Sequence, residues 1–379
     1  MKIGFINTGG TISCVESGSG LSPLSAEEFR QAFHRLMLPI LLSRLQDLEI
    51  EHVDVEFNSS SNTLDSTNLQ PSDWCLIAEK IVNNYEKYDG WIILHGTDSM
   101  DFTASALPFM LSSFRSDASS LYLLDKPIVI TGSQVPMFHR SNKNLELRFN
   151  SDAFGNICGS FEALKANISE VCVFFGGKLL RGNRVVKVNA DGFQAFSSPN
   201  YPILGRMGIN LELYSENIRQ HEYNKNFVLS QREMRDIISN QIKYLKSNIN
   251  NYPVVQLKAF PSWYGKSSSL MSKLIDSIVK SGAKGIVLES YGEGNFPSGN
   301  PDNPGLGANY KSLLNASNAG VLIADSTQVL TGRVDDQAYA AGSWLSKVVA
   351  IATDDMTSFA AFSKLSILLS LSGLYGYGV

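Results

Sequence analysis

Apolar residues recur along this chain with two different periods. Short unbroken runs, Ile3-Gly4-Phe5-Ile6 and Trp91-Ile92-Ile93-Leu94, have the length and composition of strands. Between them the period is helical: after Pro71, the residues Trp74, Ile77, Ala78, Ile81, Val82 and Tyr85 fall at i, i+3, i+4, i+7, i+8 and i+11. They make one apolar stripe, and proline in the first turn is pre-set for a helix start. This helix feeds the Trp91 run, so the order is strand, helix, strand, with a right-handed crossover. A further helix start is read at Ser25-Ala26-Glu27-Glu28, a capping box. The tract before it, Ser17-Gly18-Ser19-Gly20, reads as flexible and predicts a mobile lid ahead of a firm helix.

Further along, the composition shifts. Residues from Ser215 to Asn251 are rich in Asn, Gln, Lys, Arg and Glu, with an apolar stripe of Met234, Ile237, Ile238, Ile242, Leu245 and Ile249. This predicts a linker carrying one amphipathic helix that packs back on its own chain. Beyond it, Val254-Val255-Gln256-Leu257, Gly285-Ile286-Val287-Leu288 and Val321-Leu322-Ile323-Ala324 alternate with helical segments. The expected fold is therefore α/β with two domains: a larger N-terminal, mostly parallel sheet flanked by helices, and a smaller C-terminal α/β domain. The expected boundaries are 1–215, a linker at 216–252, and 253–379.

Composition narrows the class. A chain of 379 residues exceeds one typical core, which agrees with two domains. Hydrophobic residues at 44% and charged residues at 18% describe an ordinary globular protein, and a net charge of -4 gives no general attraction for nucleic acid. Cys14, Cys75, Cys158 and Cys172 are scattered, with no C-x-x-C pair and no histidine pattern for zinc, so free thiols and no metal are expected. The opening apolar run is too brief for a signal peptide, and no segment approaches the roughly 20 apolar residues of a membrane span. A cytoplasmic protein with no membrane partner is expected.

Two hydroxyl motifs carry the candidate chemistry. Thr8-Gly9-Gly10-Thr11-Ile12 follows the first strand, and His95-Gly96-Thr97-Asp98-Ser99-Met100 follows the Trp91 run. In a parallel sheet both strands open on one crevice, so Thr11 and Thr97 can face one small substrate, with Asp98 adding a carboxylate. Each motif also has a plainer reading. A Gly-Gly turn serves as an ordinary connection or a phosphate cradle, and Thr97 and Asp98 are good helix caps.

TGGTI at 8–12 and HGTDSM at 95–100 together resemble the L-asparaginase family of bacterial amidohydrolases, specifically its cytoplasmic type I branch. Lys126-Pro127-Ile128-Val129-Ile130-Thr131-Gly132-Ser133-Gln134-Val135-Pro136 is similar to the family's third strand and turn. Arg181-Gly182-Asn183-Arg184-Val185-Val186-Lys187 resembles the segment that supplies its catalytic lysine, and Asn189-Ala190-Asp191-Gly192-Phe193, Ser198-Pro199-Asn200 and Glu289-Ser290-Tyr291-Gly292-Glu293-Gly294-Asn295 continue the match. The resemblance implies hydrolysis of L-asparagine to L-aspartate and ammonia without a cofactor. Thr11 would be the nucleophile that forms an acyl-enzyme, with Thr97, Asp98 and Lys187 as a relay. Asp65-Ser66-Thr67 would be the substrate loop, Ser66 holding the carboxylate and Asp65 or Asp98 the ammonium, and Ser133 would bind the side-chain amide. A homodimer or homotetramer is implied as well. Alternatives are a glutaminase-type amidase and a non-catalytic amino-acid-binding protein on the same scaffold.

Three departures stand out. Leu21, in Gly20-Leu21-Ser22-Pro23, occupies the position of a family tyrosine that contacts the nucleophile. The segment from Phe138 to Phe149, with His139, Arg140, Lys143 and Arg148, is longer than the family pattern and is expected to be a surface insert. Glu289 and Val329 stand where some type I members carry an effector-binding arginine and cysteine, which implies loss of that control.

Overall fold

The computed structural model describes residues 1–376 other than 19, 46, 58–62, 115–119, 143, 220–226, 266 and 336–342. The chain divides into two compact units, the first comprising Met1–Phe114 with Ser120–Lys246 and the second running on from Ser247.

The first unit is built on an eight-stranded sheet. Its spatial order is Leu211–Leu213, Gly205–Met207, Lys178–Arg181, Val171–Phe175, Ile128–Thr131, Gly90–Leu94, Lys2–Asn7, Glu49–His52. The last five are parallel, whereas 171–175, 178–181, 205–207 and 211–213 pair antiparallel as an extension at one edge. Numbered along the chain, the parallel part has the order 2-1-3-4-5, whose direction reverses between Lys2–Asn7 and Gly90–Leu94. At such a switch point the two following loops diverge and leave a crevice beyond the carboxyl ends of the strands. Both strand runs read from the sequence are nearly wholly buried, as strands covered on both faces should be.

The expected helices form. Ser25 caps Ala26–Ala32 through a complete capping box with Glu28, and Pro71–Asn83 buries Trp74, Ile77, Ala78, Ile81 and Val82, with Tyr85 buried just beyond. The helix expected within 216–252 spans Arg232–Asn248 and packs on the first unit with Met234, Ile238, Ile242 and Leu245 buried, while Ile237 is exposed. Gln241, inside that apolar stripe, donates from Nε2 to the carbonyls of Met110 and Ser112, at 3.0 Å each.

Three local expectations are corrected. The Gly-Ser tract, whose Ser19 lies outside the described residues, ends a β-hairpin in which Cys14–Ser17 pairs with Gly20–Pro23. Alternation explains it: Val15 is buried in the core, while Leu21 is 52% exposed. The segment 138–149 is a second hairpin, Phe138–Ser141 with Asn144–Leu147, and it is not only surface. Phe138 is wholly buried edge-on to Phe29, whereas Arg140 and Arg148 form outer ion pairs with Glu28 and Glu16; Lys143 lies outside the described residues.

The second unit has a four-stranded parallel sheet, ordered Val254–Lys258, Gly285–Ser290, Leu322–Thr327, Ile351–Ala352. Its last helix, Ser358–Tyr375, supplies the third correction, since by length and composition it could cross a membrane. Half of it is buried, with Leu365 and Leu369 lying against Gly285 and Ala361 joining Val287 and Ala324 in a small core. Serine spacing hid it: the hydroxyls of Ser370 and Ser372 return to the helix's own carbonyls of Ser366 and Leu369, so polar letters sit on an apolar helix.

Acid sensitivity is expected from the first unit. His52 packs edge-on against Phe5 and Phe33 with its Nε2 buried and without a hydrogen-bond partner among the described residues, and burial, with His34 and Arg30 nearby, pushes its pKa down from 6.5 to about 4. A pKa depressed on folding means that the unfolded chain takes up the proton first, so this stability is complete above pH 6.5 and drains as pH falls towards 4. His52→Phe is therefore expected to recover about 2 kcal/mol at pH 5 relative to its effect at pH 7, measured by urea unfolding. An unchanged acid limb in the variant would assign the sensitivity elsewhere.

Candidate active site

The site begins with flush strand ends. Asn7 stands opposite Leu94, and Leu94 opposite Thr131, so the turns holding Thr11, Thr97 and Ser133 leave the sheet at one level. Thr8 secures the first turn by donating both its N–H and its hydroxyl to the Leu94 carbonyl, each at 2.9 Å.

Glycine is required here because backbones touch. Gly10 has φ 79° and ψ -176°, a region essentially closed to other residues, and a Cβ on it would lie 2.2 Å from the Gly96 Cα. A Cβ on Gly96 would in turn meet the Ser66 Oγ at 2.4 Å. The loops of Thr11 and Thr97 are thus pressed together main chain to main chain, and the Ser66 side chain packs against Gly96. Thr11 opens the short 3-10 turn Thr11–Ser13 and is half-buried.

Beneath them lies His95, wholly buried, with Nδ1 at 2.7 Å from the Gly96 carbonyl and Nε2 at 2.8 Å from the Thr103 hydroxyl. Burial lowers its pKa to about 4, so it is a neutral brace between the turn and the helix Met100–Met110.

Lys187 reaches this crevice from Val186–Lys187, a two-residue strand paired with Phe196–Ser197. Its Nζ donates to the Thr97 Oγ1 at 2.9 Å and to the Asp98 Oδ1 at 2.7 Å. Gln134 completes the set. Its Nε2 donates to the carbonyls of Ala190 and Gly192, which leaves Oε1 facing the Thr97 hydroxyl at 3.3 Å. An amide oxygen only accepts, so the Thr97 proton points to Gln134 and the Thr97 lone pairs face the lysine.

The remaining predicted residues are less concentrated. Ser66 is buried against Gly96, and its carbonyl accepts from the Ser99 hydroxyl at 2.6 Å. Asp65 is exposed and accepts the Thr67 N–H, so Thr67 serves its own loop through its backbone. The Ser133 hydroxyl donates to the Val135 carbonyl at 2.6 Å. Direct hydrogen bonds therefore join Thr97, Asp98 and Lys187, glycine packing brings Thr11 and Ser66 beside them, and Asp65, Thr67 and Ser133 satisfy local backbone.

Sequence reading missed Gln134, Asp101 and Asp152. Asp152, whose carboxyl is pushed up by burial, accepts the N–H groups of Gln134 and Val135 and holds that turn. Gln134 lies inside the third-strand motif and Asp101 directly follows HGTDSM, but nothing in their letters signals contacts with residues far along the chain.

A model of the asparaginase N-terminal domain matches residues 2–219, more than half of the chain, and one of the glutaminase/asparaginase C-terminal domain matches 267–373. The chain belongs to the asparaginase family. L-asparaginase 1 of Escherichia coli K12 is 32% identical over 369 residues, covering 96% of this chain and 90% of that protein. Among solved structures, L-asparaginase I of Vibrio cholerae matches with a TM-score of 0.70 and 30% identity, over 97% of this chain and 92% of that one. The thermostable L-asparaginase of Thermococcus kodakarensis matches with a TM-score of 0.71 and 26% identity, over 99% and 96%. Membership fits the switch-point crevice, with the asparaginase N-terminal domain match covering every residue of the Thr97–Lys187 cluster.

Proposed function

We propose that this protein hydrolyses the side-chain amide of L-asparagine to L-aspartate and ammonia, with Thr11 as nucleophile. The contact of Lys187 with both Thr97 and Asp98 carries the reading, because amide hydrolysis needs proton transfer beside an activated hydroxyl. In the first half, the Thr11 Oγ attacks the carboxamide carbon, backbone N–H groups of the two turns receive the oxyanion, and the C–N bond breaks as the proton given up by the Thr11 hydroxyl reaches the nitrogen, which leaves as ammonia. In the second, water directed by Thr97 and Lys187 attacks the Thr11 ester. Aspartate departs, and Thr11 regains its proton.

Substrate contacts follow from the same chemistry. Asp65 or Asp98 would take the ammonium and Ser66 the carboxylate, since charge-assisted bonds orient the amide towards Thr11. Ser133 has its proton engaged by Val135, so its oxygen remains an acceptor suited to the substrate NH2. By family resemblance the protein would work in the cytoplasm as a homodimer or homotetramer. Glu289 accepts from Gln256 at 3.4 Å and repels a carboxylate, so we infer no asparagine effector at that position.

Ammonia release by the wild type with L-asparagine and with L-glutamine tests the proposal. Turnover of asparagine supports it; faster turnover of glutamine would make the protein a glutaminase, and binding without release with either amide would favour the non-catalytic reading. Leu21 is exposed and lacks the phenolic hydroxyl that the family carries. Leu21→Tyr is expected to raise kcat by roughly 100-fold, the low end of general acid–base help. No gain in ammonia release would mean that the proton travels through another group.

A further inference from the structure

Lys187 is gripped at both ends by side chains from one short stretch of sequence, 97–101. Thr97 and Asp98 hold its Nζ, and three residues later the Asp101 Oδ2 accepts its main-chain N–H at 3.3 Å. The structure assigns Asp101 as the positioning residue for Lys187, acting through the backbone amide rather than on substrate. This inference rests on the proposed relay and extends it.

Three observations support the assignment. First, the strand carrying Lys187 is only two residues long, so its own ladder fixes the backbone weakly and outside anchors matter. Second, Asp101 divides its two oxygens: Oδ1 accepts from Phe102 N at the start of its own helix, and Oδ2 crosses to a residue 86 positions away. A plain helix cap explains only the first bond. Third, Asp101 is 2% exposed, and burial raises its pKa to about 6, opposed by the N–H groups it accepts and by the Lys187 charge. Gln134 ties the carbonyls of Ala190 and Gly192 just beyond, so Lys187 is anchored on both sides. Loss of one anchor allows the ammonium to drift from Thr97, and displacement of about 1 Å can cost about 100-fold in rate.

The test compares Asp101→Ala with Asp101→Asn in ammonia release, together with hydrogen exchange at the Lys187 amide. Asn keeps a carbonyl acceptor for that N–H, and Ala removes it. Asp101→Ala is expected to lower kcat by about 10- to 100-fold with KM little changed and to speed Lys187 exchange, while Asp101→Asn restores both. Should the alanine variant not fold, Asp101→Glu, which displaces the acceptor by one methylene, takes its place with the same expected loss. Full kcat in the alanine or glutamate variant would overturn the assignment. So would an asparagine variant as slow as the alanine one, since charge rather than placement would then matter. A wild type without turnover sinks the asparaginase reading itself, and the exchange data then decide the Asp101 bond alone.

Discussion

Thr11→Ala is expected to lower asparagine turnover by at least about 10⁴-fold while leaving the protein folded and able to bind the amino acid. The large kinetic effect follows from the proposed acyl-enzyme: without an oxygen at this position no ester forms, and only uncatalysed attack by water in the crevice remains. The small structural effect follows from the environment of the side chain. Thr11 is half-buried, its hydroxyl has no hydrogen-bond partner among the described residues, and removal of its methyl and hydroxyl leaves the glycine contacts intact. Ammonia release, asparagine binding and thermal unfolding of the same preparation check the three parts. Residual turnover within about 100-fold of wild type would remove Thr11 as nucleophile and direct attention to Thr97.

Gly10→Ala is expected to be the most damaging single methyl in the first unit. The backbone there has φ 79°, where a Cβ is disfavoured by about 1–2 kcal/mol, and close-packed neighbours add roughly 1–3 kcal/mol when overfilled. The neighbour is the Cα of Gly96, which no side-chain rotation can move aside. Stability should fall by roughly 2 to 5 kcal/mol in urea unfolding, and any folded fraction should be slow because the two threonine turns are forced apart. Gly20→Ala is the matched comparison: its φ is also positive at 115°, but nothing lies within 4 Å of its missing Cβ. Equal losses in the two variants would show that conformation alone, not contact between the turns, makes glycine necessary.

The letters announce the site wherever local chemistry is distinctive. Gly9-Gly10 marks a sharp backbone turn, and the apolar runs before the two threonine motifs mark strands, so the candidate crevice and both threonines are legible. Other features depend on partners that no short window contains. Asp101 reads as one more acid in a first helical turn, and its bond to Lys187 spans 86 positions. Gln134 reads as a loop residue until its carboxamide is seen between Thr97 and the 189–192 loop. Hairpins mislead for a related reason: Phe138 and His139 are adjacent letters on opposite faces, one buried against Phe29 and the other half-exposed beside Glu146. The serine-spotted helix Ser358–Tyr375 shows the reverse case, in which hydroxyls returned to the chain conceal an apolar segment.

Assembly order is written into the short strand that bears Lys187. Its partners Thr97 and Asp98 lie 90 and 89 positions earlier, so the ammonium arrives only after the chain has closed a long loop. Val186–Lys187 can pair with Phe196–Ser197 locally, whereas its contacts with Thr97 and Asp98 wait for that loop to close. On the proposed relay, a partly folded first unit would carry both threonine turns without the lysine that serves them. On that reading, the closing of one long loop is also the step that completes the site.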